Sequence, residues 1–500
     1  MTIRPLVLLS VGLIVATLVA SPGMAQSGAE TLQNAVIEAI AKAEQSVVAI
    51  ASIPKNTGTS RLGLLDLQRQ FLDPDQLPID RLEPTNPDYL PGRFSSGVIL
   101  DQTGHVVTTY HSLGDPRKHD YVIWHGGESG RAVRVTTPPR VLAGDPWTDL
   151  AVLKVPPLGR PIELSQRTEL RRGTFVVALG NPYALARDGR PSAAWGIVAN
   201  LRRPAPPLTQ TGDAIPKPSL HHWGTLIQVD FRLPLGTSGG ALIDLHGKLV
   251  GLTTSLAPLV GYETPAGFAI PVDATFRQAV EQLKSGRIPA FGFLGVQPEN
   301  LTPRERQLVG GGARVIRVVA GTAAANAKIA VGDIITHVNG QPVSGKDELI
   351  REISSLPAAS TASLAIHRLD AAGKTRRHLN VAVQLNKKPL ETWLAAYESK
   401  PRRLWRGMRV DEATAVPLAL RRQSGAVPDP RGCVGVIDVA PESLAWKAGL
   451  RPGLFVTHVD GKRVESVQQF FQLADDNPSV VVLRVIDGGS GRRDLPVAAQ

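Results

Sequence analysis

Leu235-Gly236-Thr237-Ser238-Gly239-Gly240-Ala241-Leu242 sets a serine among glycines and runs straight into an apolar stretch that continues through Ile243. The glycines favour a tight turn and the apolar run favours a strand, so the hydroxyl is presented at a strand edge. Backbone N–H groups in such a turn can approach a reacting carbonyl without Cβ obstruction, which suits an oxyanion hole as well as a nucleophile. Taken alone, Gly236 to Gly240 is more often a solvent-facing loop. A serine hydroxyl is a weak nucleophile without a neighbouring base, and that base needs an acid to fix its tautomer.

A histidine and a carboxylate both lie upstream. His111 follows the strand-like run His105-Val106-Val107-Thr108-Thr109, which forms a hairpin with Ser96 to Leu100 around a turn at Asp101 to Gly104. Asp149 stands in Asp145-Pro146-Trp147-Thr148-Asp149-Leu150-Ala151-Val152-Leu153-Lys154, ahead of another apolar strand. Singly, these read as a turn histidine and a strand cap. Together with Ser238 they give the order His, Asp, Ser of two-barrel serine proteases, and not the nucleophile-first order of α/β-hydrolase esterases.

With 500 residues the chain is long enough for about three domains, and 43% hydrophobic content supports packed cores. Forty prolines, 48 glycines and few aromatics favour short strands joined by turns, so a mainly β fold is expected. The net charge of +11 is spread along the chain, with small clusters at Arg202-Arg203, Arg376-Arg377 and Arg402-Arg403 and no interleaved aromatics. That argues against specific nucleic-acid binding and suits loose attraction to acidic polymers or a membrane surface. Met1 to Arg4, the apolar run Leu6 to Ala20 and the small residues up to Ala25 read as a secretory signal over residues 1–25, with an uncleaved anchor as the alternative. Either reading makes the remainder an exported protein. Cys433 is the only cysteine, so no internal disulfide can form, and its apolar surroundings read as a buried core position.

Leu32, Val36, Ile37 and Ile40 recur at helical spacing between Ala29 and Glu44, and a first strand follows over Ser46 to Ile53. Pro54 to Pro91 is a polar, Pro-rich insertion, either a lid or a disordered loop. Short strands then recur at Tyr121 to Trp124, Ala132 to Val135, Ala151 to Val155, Phe175 to Leu179, Ile197 to Ala199, Leu226 to Val229, Ala241 to Asp244 and Leu249 to Thr254, as in a barrel or sandwich. Val272 to Leu283, opened by Asp273 as cap, closes this domain as a helix. Beyond it an internal repeat emerges. Residues 121 apart match at Val315 and Val436, Ile316 and Ile437, Ala324 and Ala445, Ile329 and Leu450, Gly332 and Gly453, Val338 and Val459, and Gly340 and Gly461. Two copies of one domain of roughly 100 residues each are implied.

Val107-Thr108-Thr109-Tyr110-His111, Thr148-Asp149-Leu150-Ala151-Val152-Leu153-Lys154, Ala178-Leu179-Gly180-Asn181-Pro182, Ile227-Gln228-Val229-Asp230, Gly236-Thr237-Ser238-Gly239-Gly240 and Gly267-Phe268-Ala269-Ile270-Pro271 stand in the order and spacing of the HtrA (Deg) serine proteases. The chain after its signal resembles that family throughout, and the repeats resemble its PDZ domains through Gly332-Asp333-Ile334-Ile335 and Val338-Asn339-Gly340. The resemblance implies a chymotrypsin/trypsin-like two-barrel domain over 26–286, with the loop insertion at 54–91. A first α+β PDZ domain over 287–386, a linker over 387–403 and a second PDZ domain over 404–500 would follow. It implies His111 as general base, Asp149 as orienting acid, Ser238 as nucleophile, and the N–H groups of Gly236 and Ser238 as oxyanion hole, with no metal or organic cofactor. Unfolded or misfolded exported proteins and C-terminal peptides are the implied ligands, and a homotrimer or a multiple of it the implied assembly. Phe293-Leu294-Gly295-Val296 would form the turn that takes a peptide carboxylate in the first PDZ domain. In Trp405-Arg406-Gly407-Met408-Arg409-Val410 of the second, Arg409 stands where Gly295 is expected, so ligand binding and a packing role are both open.

Phe231-Arg232-Leu233-Pro234-Leu235 and Thr237 depart from the family pattern, Arg232 falls where the pocket preceding the cut is shaped, and Pro234 has a fixed φ and no N–H. The rival reading is an inactive or weakly active chaperone or peptide-binding scaffold with the same fold. His221-His222 beside Trp223 lacks a third ligand at metal spacing and reads as a surface loop.

Overall fold

The computed structural model describes residues 22–55, 93–126, 132–135, 138–166, 170–181, 190–205, 219–254, 266–369, 376–390, 395–400, 402–475, 479–489 and 491–499. The apolar leader and nearly all of the 54–91 insertion lie outside the described residues. Helix α1 (Pro22–Ala43) starts earlier than the apolar spacing alone indicates, and Ala39, Ala43, Val36 and Ile40 seat its C-terminal half on the core.

Seven strands follow: β1 (Val47–Pro54), β2 (Arg93–Ile99), β3 (His105–Thr109), β4 (His119–Gly126), β5 (Ala132–Arg134), β6 (Arg140–Asp145) and β7 (Leu150–Lys154), with the one-turn helix α2 (Tyr110–Leu113) directly after β3. They form one antiparallel sheet in the order β6-β7-β3-β2-β1-β4-β5. The two-barrel expectation holds with a difference here: this sheet stays open, and its β6 edge is extended by a strand from far along the chain, Tyr397–Glu398. Strand β6 escaped the sequence reading because Arg140-Val141-Leu142-Ala143-Gly144-Asp145 offers only a short apolar run ending in turn-forming residues.

Six further strands, β8 (Phe175–Gly180), β9 (Ser192–Arg203), β10 (Leu226–Val229), β11 (Ala241–Ile243), β12 (Leu249–Thr254) and β13 (Gly267–Pro271), close into a barrel ordered β10-β13-β12-β11-β8-β9. Alternation along β8 does the packing: Val176 and Ala178 point into the barrel, while Val177 and Leu179 join a cluster with Val98, Val107, Leu150 and Val152 that fuses barrel to sheet. Helix α3 (Ala274–Lys284) covers the same seam. Asp273 caps it by accepting from Phe276 N at 2.9 Å, and Phe276, Ala279, Val280 and Leu283 are buried at i, i+3, i+4, i+7 spacing. Burying a phenylalanine side chain is worth about 1.5–3 kcal/mol.

The repeats share one architecture. Val296–Asn300, Ala313–Val318, Ile334–Val338, Thr361–Leu369 and Arg376–Gln384 form the first sheet, covered by helix α4 (Lys346–Ser355). Met408–Glu412, Val434–Val439, Phe455–Val459, Val481–Asp487 and Gly491–Val497 form the second, covered by helix α5 (Val467–Asp475). The 121-residue correspondence holds over the second and third strands and the covering helix, and fails before and beyond them. Gly295 and Gly407 are the true equivalents: φ is +86° and +84°, Gly295 O accepts from Val319 N at 2.8 Å, and Gly407 O accepts from Ala440 N at 2.9 Å. Arg406 therefore takes the place of Leu294, and Arg409 lies in the strand beyond. A longer connection before Val434 in the second repeat shifts the register and misled the sequence comparison. Cys433 is 4% exposed, and burial pushes its thiol up to about 11, so it behaves as core.

The stretch read as a linker, 387–403, is docked at both of its described ends. Asn386–Lys387 pairs with Gly292–Phe293, and Tyr397–Glu398 pairs with β6.

Candidate active site

Asp149 sits between β6 and β7 with φ at +56°, a left-handed conformation that Asp tolerates better than most residues. This places its carboxylate against the first turn of α2. Asp149 Oδ1 accepts from His111 N at 2.9 Å, and Oδ2 accepts from His111 Nδ1 at 2.7 Å. The Nδ1–H bond fixes the tautomer and leaves Nε2 with a lone pair. Tyr110 N donates to Asp149 O at 2.9 Å, so two successive N–H groups of α2 hold both ends of one residue.

Ser238 reaches this region through β2 and β3. Ser96 N donates to Ser238 O at 2.8 Å, and the Ser96 hydroxyl donates to Gly236 O at 2.8 Å while accepting from Asn181 N at 2.7 Å. Ser96 O in turn accepts from the Thr108 hydroxyl at 2.6 Å, three residues before His111. The turn leading in is closed by Thr237 N and the Thr237 hydroxyl, which donate to Pro234 O at 3.2 and 2.7 Å. Thr237 thus supplies a hydroxyl where the family pattern has Asn or Asp, and Pro234 contributes its carbonyl, for which an N–H is not needed. Gly236 has φ of +93°, and a Cβ there would meet Asn181 O at 2.4 Å and the Phe94 ring at 2.6 Å, so only glycine fits. On the far side Gly239 N donates to Thr253 O at 2.8 Å and the Thr253 hydroxyl donates to Thr237 O at 2.5 Å. Ser238 itself is 3% exposed. Arg232 is exposed, while Leu233 packs on the barrel core beside Gly267.

A second layer, unread in the sequence, holds the Asp149 turn. Asp145 accepts from Trp147 N and Thr148 N, both at 3.1 Å, and from the Thr148 hydroxyl at 2.7 Å. Burial raises its carboxyl to about 6, and the nearby Asp149 charge adds to the rise. His221 is 2% exposed, which corrects its reading as part of a surface loop. Its Nε2 donates to Thr148 O at 2.8 Å and its Nδ1 accepts from the Thr225 hydroxyl at 2.6 Å. Burial lowers its pKa, which keeps the ring neutral. Trp147 is buried with Leu220 and Phe291, and its Nε1 donates to Ser354 O of α4 at 3.4 Å, so the first repeat abuts the turn that carries Asp149.

Among Phe293, Leu294, Gly295 and Val296, Leu294 is buried in the repeat core and its carbonyl accepts from Ala324 N at 2.8 Å. Val296 starts the edge strand beside α4. A cavity of about 730 Å³ lies between the closed barrel and α4, and His111, Asp149 and Ser238 do not line it. Among the described residues, no three His, Cys, Asp or Glu side chains gather as metal ligands.

A trypsin-like peptidase domain model matches residues 95–252, and PDZ domain models match 292–383 and 435–487. The chain is a serine protease built from a trypsin-like peptidase domain and two PDZ domains. It is 29% identical over 386 residues to a probable periplasmic serine endoprotease DegP-like of Bartonella henselae, covering 75% of this chain and 68% of the relative. It is 28% identical over 405 residues to the protein of the same name from Pseudomonas putida, covering 79% and 77%. With serine protease PepD of Mycobacterium tuberculosis it shares 32% identity over 295 residues, 56% and 59% of the two chains. These relatives are serine proteases of the DegP and PepD type, in line with the HtrA (Deg) resemblance of the sequence.

Proposed function

We propose that this chain is an exported endopeptidase of protein quality control, cutting unfolded or misfolded polypeptides with His111, Asp149 and Ser238. Ser238 Oγ attacks the scissile carbonyl as its proton passes to His111 Nε2. Asp149 stabilises the imidazolium, and the N–H groups of Gly236 and Ser238 receive the oxyanion. His111 then protonates the leaving amine, and water, deprotonated by His111, hydrolyses the acyl-enzyme. The chemistry calls for neither metal nor organic cofactor. The observation that carries the reading is the 2.7 Å contact between His111 Nδ1 and Asp149 Oδ2 in a chain whose Ser238 turn is tied to the same strands.

In this reading residues 1–25 are the export signal or an anchor, 26–286 the protease domain with its 54–91 loop, 287–386 and 404–500 the PDZ domains and 387–403 the segment between them. The relatives' periplasmic names and the apolar Leu6 to Ala20 run support export. Extended C-terminal peptides would add a strand beside Val296 and place their carboxylate at the Phe293 to Val296 turn. A homotrimer, or a multiple of it, is the assembly proposed. Degradation of a reduced, unfolded protein by the purified chain tests the reading. Turnover is expected to vanish in a folded Ser238→Ala variant; undiminished turnover in that variant overturns it.

A further inference from the structure

Residues 395–399, between the two PDZ domains, lie behind both His111 and Asp149, and peptide hydrolysis as described gives them no role. Tyr397 and Glu398 pair with Gly144 and Ala143 of β6, and Ser399 N donates to Leu142 O at 2.8 Å. Strand β6 then runs directly into the Asp145 turn that carries Asp149. From the histidine side, the fully buried Tyr110 donates its hydroxyl proton to Ala395 O at 2.7 Å. Its ring lies so close to β6 that a Cβ on Gly144 would meet it at 2.2 Å. The same residue's N–H holds Asp149 O, and its neighbour is His111. Arg117 adds a bond from Nη2 to Ala396 O at 3.0 Å.

The far end of the strand is tied to both PDZ domains. Glu398 accepts from Ile288 N at 2.9 Å and from Arg402 through both oxygens, at 2.5 and 3.0 Å. Arg402 also donates to Asp411 of the second PDZ domain at 3.1 Å, and Asp411 pairs with Lys387 at the end of the first at 2.6 Å.

We infer that residues 395–399 are a positioning strand of the protease sheet, which through Tyr110 and β6 sets His111 against Asp149. The inference rests on the His111, Asp149 and Ser238 reading above. Neither Tyr110 nor the strand touches the reacting atoms, so both act through the pair they hold.

The test uses the full chain and a serine-directed fluorophosphonate, measuring the maximal labelling rate and the half-saturating concentration separately. Tyr110→Phe keeps the ring in the core and removes only the donor to Ala395 O. Ser399→Pro removes the donor to Leu142 O together with the Ser399 hydroxyl and fixes φ, which loosens the strand from β6. Each is expected to lower the maximal rate about tenfold or more, since small misplacements of reacting groups cost that much, with half-saturation unchanged. The double variant is expected to be no slower than the worse single one, because both break the same strand. Unchanged rates, a change confined to half-saturation, or effects that multiply in the double variant overturn the inference. Labelling of Ser238 in the parent separates the two readings: an unlabelled parent sinks the catalytic assignment, and a labelled parent with unaffected variants sinks the positioning strand alone. Should Ser399→Pro fail to fold, the isosteric Tyr110→Phe still decides.

Discussion

His221 Nε2 donates to the Thr148 carbonyl at 2.8 Å, so a buried histidine of the second barrel grips the residue that precedes Asp149. The bond requires a proton on His221 Nε2, and burial, which lowers the pKa, keeps the ring neutral. Below the ordinary histidine value of about 6.5 the unfolded chain binds a proton there that the folded chain refuses, so this residue's contribution makes stability rise with pH through that window. Thermal unfolding at pH 5, 6 and 7 is expected to show a shallower rise for His221→Gln than for the parent. Equal slopes would show that His221 titrates normally in the fold.

Asp145 acts with the opposite sign. Its carboxyl is raised to about 6 by burial, so between about pH 4 and 6 the folded chain holds a proton the unfolded chain has lost, and stability falls as pH rises through that range. Asp145→Asn removes this dependence and also turns one acceptor into a donor facing Trp147 N or Thr148 N. A loss of about 1–3 kcal/mol is expected, together with a fall in kcat at unchanged KM, read by denaturant unfolding and steady-state kinetics.

How far the sequence carried the fold depended on whether each signal was local. Strand alternation, the Asp273 cap and the repeat from Val315 to Gly340 are local patterns, and the described elements follow them. His111, Asp149 and Ser238 each sit in a string whose order and spacing are specific, and the structure joins His111 to Asp149. Asp145, Trp147, His221, Ser96 and Tyr110 were not legible, because their work is done on partners such as Thr148, Ser354, Gly236 and Ala395, and no periodicity announces a bond across the fold. The strand at Tyr397 is invisible for the same reason: two residues pairing with β6 have no pattern to show. The Arg409 misalignment has a different cause, since a length difference between the repeats moved the register before any residue could signal it.

Ser96 predicts a loss of function without loss of chemistry. Ser96→Ala strips the hydroxyl from Gly236 O and Asn181 N, leaving two buried groups unpaired at an expected cost of about 1–3 kcal/mol. Because those groups carry the Ser238 turn, kcat should fall in a variant that still folds; Ser96→Thr, which keeps the hydroxyl, should recover part of it. Kinetics of the two variants side by side make the comparison.

Gly236→Ala places a Cβ 2.4 Å from Asn181 O in a backbone held at φ +93°. The turn must move, and with it an N–H assigned to the oxyanion hole. A loss of about 10²-fold or more in kcat is expected, the size of removing one such donor, with KM little changed.

In the second PDZ domain Arg406 is buried and donates to Val497 O, Ala498 O and Ser479 O, each at 2.7 Å. It fastens the C-terminal strand from the position where the first PDZ domain has Leu294. Arg406→Ala should destabilise this domain by about 1.5–3 kcal/mol and expose the strand Gly491–Val497 to hydrogen exchange, while Leu294→Ala should loosen only the first domain. Exchange measured by mass spectrometry on the full chain resolves the two.

The most direct test is to label the full chain with a fluorophosphonate and map the modified residue. The label is expected on Ser238 alone, absent from Ser238→Ala and slowed by about 10³-fold or more in His111→Ala. Labelling at another residue, or an undiminished rate in His111→Ala, would contradict it.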